Sequence, residues 1–323
     1  MEVLHRGYMK SIIPYFAGLH PNEIYEGIIY HYTSPEGFKS ILENNALRLT
    51  RYDCLNDYKD GKIVEDLFLE CLKELYDERG IDQEYYNEYK KAELKHTAFV
   101  YYIDKAHLYV DSTPYVCCFS TDNDSLQMWQ YYSKNDNYEG YNIGIQLQKI
   151  RDISEGLINT GKVNYDSRTI RNNIKRTISS YYSCDIENHK NGFDRYSTES
   201  LSQTMARYGC FCKDESFHGE NEARIVVEIP NNPKIRALYL GKLNYGCKES
   251  YGVQYRISHG LMTPYFDLCF GDYPVIDSVM IGPMASFRDE CAEKNMELIK
   301  EFTKEKLGRK IKVGKSTIPV RSY

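Results

Sequence analysis

Three short stretches carry side chains that could do chemistry together: His31-Tyr32-Thr33, Ser120-Thr121 with Trp129, and Glu220-x-Glu222-x-Arg224. Residues two apart share one face of an extended strand, because successive side chains alternate. Glu220, Glu222 and Arg224 therefore line up on one side, with Glu228 beyond them. Such a row could stabilise a developing positive charge, and a guanidinium there could meet a phosphate in fork geometry. Arg51 is a second guanidinium of this kind. His31 stands where a strand runs into a helix, and the unpaired N–H groups of a helix N-terminus attract phosphate. Ring side chains can hold a flat heterocycle by stacking.

The elements that must position these groups are readable in outline. Residues 28–33, rich in isoleucine and tyrosine, predict a strand. Ser34 and Pro35 predict the cap and first turn of a helix carrying Phe38, Ile41 and Leu42. Residues 46–50 and 115–120 predict strands, and 121–124 open a helix with Leu126, Met128, Trp129 and Tyr132. Residues 141–147 alternate as a half-buried strand, and 220–229 put Ala223, Ile225, Val227 and Ile229 on a core face. A strand at 274–283 precedes a helix, capped by Ser286 and Asp289, that carries Cys291, Leu298, Ile299 and Phe302 on one stripe. A last strand is expected near 310–313. Residues 1–23 suggest one lead-in helix, and Asn56-Asp57 a turn. The charged, tyrosine-rich stretches at about 59–110 and 165–213 read as helical inserts in a single domain spanning 1–323, the second having little core. Irregular alternation of strands and helices predicts an α+β fold with a mixed sheet.

Composition narrows the classes. The net charge of −5 gives no overall basic field for nucleic acid, although Arg168, Arg171, Lys175 and Arg176 cluster locally. The 31 tyrosines suit stacking surfaces, or reflect an AT-rich coding sequence. The ten cysteines include no C-x-x-C pair, which argues against a zinc site and for reduced, buried thiols. No apolar run of spanning length is visible, so a cytoplasmic protein without a membrane partner is expected. P-loop, G-x-G-x-x-G, G-x-S-x-G and H-E-x-x-H patterns are absent from the sequence.

In order, H-Y-T, then C-F-S with M-W-x-Y-Y, then E-x-E-x-R, I-G-P and a terminal S-x-I-P-x-R resemble a bacterial domain-of-unknown-function family, over roughly residues 28–321. That family is in turn distantly similar to the ADP-ribosyltransferases. The resemblance implies a mixed, antiparallel split sheet of ADP-ribosyltransferase type with helical insertions. It implies NAD as substrate, no metal, and transfer of ADP-ribose by a toxin or antiphage effector. His31 would grip the adenine-side ribose, with the backbone at Tyr32 and Thr33 on the nicotinamide amide. Glu222 would be the catalytic carboxylate and Glu220 its companion. Ser120, Trp129 and Tyr132 all remain open for the middle position, and Arg51 or Arg224 for the pyrophosphate. Nucleic acid, RNA before DNA, is the favoured acceptor, and a toxin would come with a neutralising protein. Alternatives are a protein acceptor, plain NAD hydrolysis, or a non-catalytic sensor on the same fold.

Each residue also has an ordinary reading. His31 could be a satisfied core histidine, and Glu220 and Glu222 the wet face of an edge strand. Arg224 could make a weak surface pair, Trp129 could be core, and Ser120 could simply end its strand.

Overall fold

The computed structural model describes residues 25, 27–55, 62–101, 107–133, 138–154, 157–190, 198–243, 252–258, 260–283 and 289–320. The expectations for residues 1–23, Asn56-Asp57, Ser286 and Arg321 lie outside these residues. Along the chain run β1 (Ile28–Thr33), α1 (Pro35–Asn44), β2 (Ala46–Arg51), α2 (Lys62–Asp77), α3 (Gln83–Tyr89), β3 (Thr97–Tyr101), β4 (His107–Ser120), α4 (Leu126–Tyr132), β5 (Tyr141–Gln146), α5 (Leu147–Ser154) and β6 (Ile158–Lys162). After them come α6 (Ser167–Lys190), α7 (Thr198–Gly209), β7 (Glu222–Pro230), α8 (Pro233–Leu243), β8 (Gln254–Ser258), β9 (Leu261–Cys269), β10 (Ile276–Ile281), α9 (Asp289–Leu307) and β11 (Lys312–Lys315). Short 3₁₀ turns occupy Tyr52–Cys54 and Glu215–Glu220. The fold is α+β with a mixed open sheet. The chain divides into two compact units, one built from 1–23, 57–97 and 163–217 and the other from the remainder.

The larger unit is organised on an 11-stranded sheet with the path β11-β10-β5-β1-β4-β2-β9-β8. Only β10 and β11 pair in parallel among the strand pairs described. β4 is the long central strand. One of its edges carries β7 along Ser112–Ser120, and β7 in turn carries β6. Its other edge is shared: β1 meets it at Ser120, and β2 meets it at Val116 and Tyr115. Cys117, Cys118 and Phe119 fall between the two ladders, so the sheet parts there.

One face of the sheet is the main core. Ile29, Leu47, Phe119, Ile143 and Ile225 pack with Leu42 of α1, Ile150 of α5, Leu240 of α8 and Ile299 of α9. Burying each such side chain contributes roughly 1.5–3 kcal/mol. The local signals of α1 act as read: Ser34 Oγ accepts from the Gly37 N–H at 3.2 Å, and Asn45 ends the helix in the left-handed region. On the other face, α4 lays Met128 and Trp129 against Tyr32.

Several expectations need correction. β5 is buried at Asn142, Ile143, Gly144 and Ile145 rather than half-buried, because β1 and β10 flank it and both of its faces are covered. β7 is buried at all nine positions and is an interior strand, not an edge. In α9, Ala292, Ile299 and Thr303 turn inward, while Cys291 and Leu298 are exposed. Helix α8 and the β8–β9 hairpin had no signal in the sequence reading.

In the smaller unit α2, α3, α6 and α7 share a core of Phe68, Leu72, Ile174, Ile178, Leu201 and Met205. The second helical stretch is thus rich in core, contrary to expectation. Two of the four residues of its basic cluster pair with α2: Arg171 meets Glu70 and Glu74 at 2.6 Å, and Lys175 meets Glu74 and Glu78 at 2.9 and 3.0 Å.

Candidate functional site

The site grows from the parting of β1 and β2. A main-chain carbonyl left between two ladders needs a donor. His31 supplies it: Nδ1 lies 3.0 Å from the Cys118 oxygen, so Nδ1 carries the proton and Nε2 keeps its lone pair. The Cys117 Sγ is 3.9 Å from the same nitrogen, and the ring lies tilted on Phe119 at 5.5 Å between centroids. Burial lowers the His31 pKa, opposed in part by the Cys118 contact. The imidazole is half-buried and neutral near pH 7.

Register places the acidic row. Ser120 stands opposite Tyr30 on one side and Glu222 on the other, while Cys118 stands opposite Arg224. Opposed residues of an antiparallel pair face the same way. Tyr30, Ser120, Glu222, Cys118 and Arg224 therefore share one face. His31 belongs to the intervening row, on the side of Ile29 and Phe119. His31 and Glu222 emerge on opposite faces at this level. Cys118 links them, since its carbonyl takes His31 and its thiol faces Glu222. Burial, then the Glu222 charge, pushes that thiol well above its ordinary range.

Glu222 and Arg224 form a two-point ion pair, Nε to Oε1 at 2.8 Å and Nη2 to Oε2 at 3.0 Å. Arg224 is 0 % exposed and Glu222 4 %, so this is not the surface contact considered above. The guanidinium also sits over the Tyr52 ring at 5.9 Å. Glu220 is buried in the 3₁₀ turn before β7, and its carbonyl accepts from Ser120 Oγ at 2.7 Å. The Tyr132 hydroxyl is pushed far above its usual pKa by burial, then by Cys118, Glu220 and Glu222. It is a neutral hydrogen-bond group beside the acids.

Of the three residues open for the middle position, Tyr132 is the one whose hydroxyl feels the Glu220 and Glu222 charges, and its side chain is 37 % exposed. Ser120 ends its strand, also accepting from the Asp122 N–H at 3.1 Å. Trp129 is 1 % exposed with Nε1 on Asp124, so it presents no open ring. Tyr32 is buried, stacks edge-on against Trp129, donates to the Asp122 carbonyl and accepts from the Ser125 N–H. Thr33 ends β1 with its hydroxyl against Gly37. Arg51 lies in β2 and is paired with Asp53 at 2.6 Å. The sequence reading missed Tyr52 and Cys118; the alternation along 115–120 was the signal for the second.

With this geometry in hand, the chain can be set beside known proteins. Residues 128–225 match the family model described as Protein of unknown function (DUF2971). The DUF2971 match spans under a third of the chain. It takes in Trp129, Tyr132, Glu220, Glu222 and Arg224 but not His31 or Ser120. Neither the curated proteins nor the solved structures give a match to this chain. Among the described residues, no cluster of three His, Cys, Asp or Glu is placed to hold a metal ion, and no helix is long and apolar enough to cross a membrane.

Proposed function

We propose that the protein is an NAD-dependent ADP-ribosyltransferase that holds NAD across the parting of β1 and β2. The observation that supports this most is the split itself, with a neutral imidazole on its lip and the Glu222–Arg224 pair one strand away. In the proposed reaction the bond from nicotinamide nitrogen to ribose breaks, nicotinamide leaves with the electron pair, and the acceptor adds to an oxocarbenium-like sugar. Glu222 would stabilise that positive charge, held in place by Arg224, with Tyr132 as a neutral donor. Exposed Tyr131, Tyr255 and Tyr273 support a nucleic-acid acceptor. The 168–176 cluster gives less support, since Arg171 and Lys175 are already paired.

One observation favours a non-catalytic binding module instead: both Glu222 carboxylate oxygens are already taken by Arg224. Labelled NAD separates the readings. Purified protein should move label onto nucleic acid, and Glu222→Gln should abolish this. Label on protein alone would change the acceptor, and free ADP-ribose would mean hydrolysis. No label moved by either form would favour the module. As a toxin, the wild type should also poison an expressing host where Glu222→Gln does not, and a neutralising partner would then be sought.

A further inference from the structure

The sheet of the larger unit ends on β11 at one side and on β8 at the other. An open edge invites a further strand, and proteins blunt such edges with charge. β11 carries Lys312 and Lys315 along its four residues. β8 has no such guard. Its sequence Gln254-Tyr255-Arg256-Ile257-Ser258 holds one charge, and among the described residues β9 is its one strand partner. Tyr255 and Ile257 are 64 % and 66 % exposed, and Met262, opposite Ile257, is 63 % exposed.

The ladder fixes what this edge offers. Tyr255 stands opposite Pro264, and Ser258 opposite Leu261 at the hairpin turn. Proline has no N–H to give, so Tyr255 and Pro264 form a non-hydrogen-bonded pair. Bonded and non-bonded pairs alternate along an antiparallel ladder, so Ile257 and Met262 are non-bonded too. The N–H and C=O groups of Tyr255 and Ile257 therefore point away from β9, toward the open side. Alternation puts Tyr255, Ile257 and Met262 on the face that carries Phe266 and Leu268, with Gln254 and Arg256 on the other. Val253, one residue before β8, packs at the margin of the main core.

We propose that β8 is a self-association edge, which pairs antiparallel with β8 of a second copy of this chain about a two-fold axis at Tyr255. A second copy is the occupant because the strand complements itself. Residues whose backbone groups point outward must face one another, which leaves few registers. With the axis at Arg256, two guanidiniums stand directly opposed, which is unfavourable. With the axis at Ile257, Tyr255 falls opposite the hairpin turn, where the chain already reverses. With the axis at Tyr255, that ring meets its own copy, Ile257 meets Val253, and Arg256 meets Gln254. Apolar side chains then oppose apolar ones on one face, and polar oppose polar on the other. The two exposed patches join into one stripe, with the Met262 of each copy at its ends. A five-residue edge gives a concentration-dependent dimer, not an obligate one. This surface does not depend on the NAD reading, because it shares neither His31 nor Glu222.

The test is analytical ultracentrifugation of the full chain from about 1 to 500 µM, a range that covers micromolar self-association. The wild type should pass from one chain mass to two. Ile257→Lys changes an exposed side chain, so its thermal melt should stay close to wild type. Symmetry brings two of these lysines into the interface, so dimerisation should weaken roughly tenfold or more. Oxidation reads the register. Opposed residues of a hydrogen-bonded antiparallel pair have Cα atoms about 5.5 Å apart, which a disulfide spans. Tyr255→Cys should therefore oxidise to a linked dimer, while Arg256→Cys, placed opposite Gln254, and the wild type should not. A wild type that keeps one chain mass throughout would overturn the proposal and leave the edge to a strand of another protein. A dimer that Ile257→Lys does not weaken, or Arg256→Cys linking as readily as Tyr255→Cys, would overturn it as well.

Discussion

His31 and Cys118 are joined by one hydrogen bond, imidazole Nδ1 to main-chain oxygen, at the point where β1 and β2 leave the shared edge of β4. The bond satisfies a carbonyl that neither ladder reaches. It also fixes which ring nitrogen is left over, and Nε2 becomes the group that a ligand can meet.

Acid should weaken the fold through this ring. Burial lowers the folded-state pKa of His31 below the ordinary 6.5. Above pH 6.5 both states are neutral and the contribution is complete. As pH falls from 6.5 toward the folded value, the unfolded chain takes a proton that the folded chain does not, and stability drops. One such group gives a slope of at most about 1.4 kcal/mol per pH unit. Denaturation midpoints from pH 8 to 5 should show this extra slope in the wild type and lack it in His31→Asn.

Breaking the Glu222–Arg224 pair from one side should cost more than removing it. Glu222→Leu or Arg224→Met alone leaves a buried charge without its partner, at about 3–5 kcal/mol. The double variant Glu222→Leu/Arg224→Met should recover much of that loss. Urea titration of the three proteins measures the coupling; additive losses would mean the pair is not the unit described.

Gly144 is a packing requirement of β5. Gly144→Ala should destabilise by about 1–3 kcal/mol, because its Cβ would sit 2.2 Å from Ser278 Oγ. Adding Ser278→Gly removes the clash, so the double variant should be closer to wild type in thermal melts than Gly144→Ala.

How much of this was readable follows from which signals are local. The Ser34 cap, Pro35 and the Phe38/Leu42 stripe are local, and α1 formed as read. The row Glu220, Glu222, Arg224 was visible by alternation, yet its burial was not. What buries it is the length of β4 and the pairing of β6, both distant in sequence. In α9 the chain offers two overlapping stripes, and only the sheet it packs on selects Ala292 and Ile299 over Cys291 and Leu298. In β8 the residues Gln254-Tyr255-Arg256-Ile257-Ser258 do alternate, yet Tyr255, Arg256 and Ile257 are all exposed, so the alternation marks no buried face. The opposite facing of His31 and Glu222 required the β1–β4 register, which a single strand pattern does not contain.

The helical unit has its own buried polar contact. Tyr89 donates to Asp185 at 2.7 Å, and both are buried. Tyr89→Phe should cost about 1–3 kcal/mol by leaving the carboxylate short of a donor. Chemical denaturation followed by circular dichroism, which weighs the helical signal, checks this.

Contact between NAD and the His31 ring is read directly by ¹⁵N NMR of histidine-labelled protein during an NAD titration, with His31→Asn assigning the signal. The Nε2 resonance of His31 should move saturably while Nδ1, held by the Cys118 carbonyl, stays close to its starting position. Saturating NAD that leaves both His31 nitrogens unmoved would contradict it.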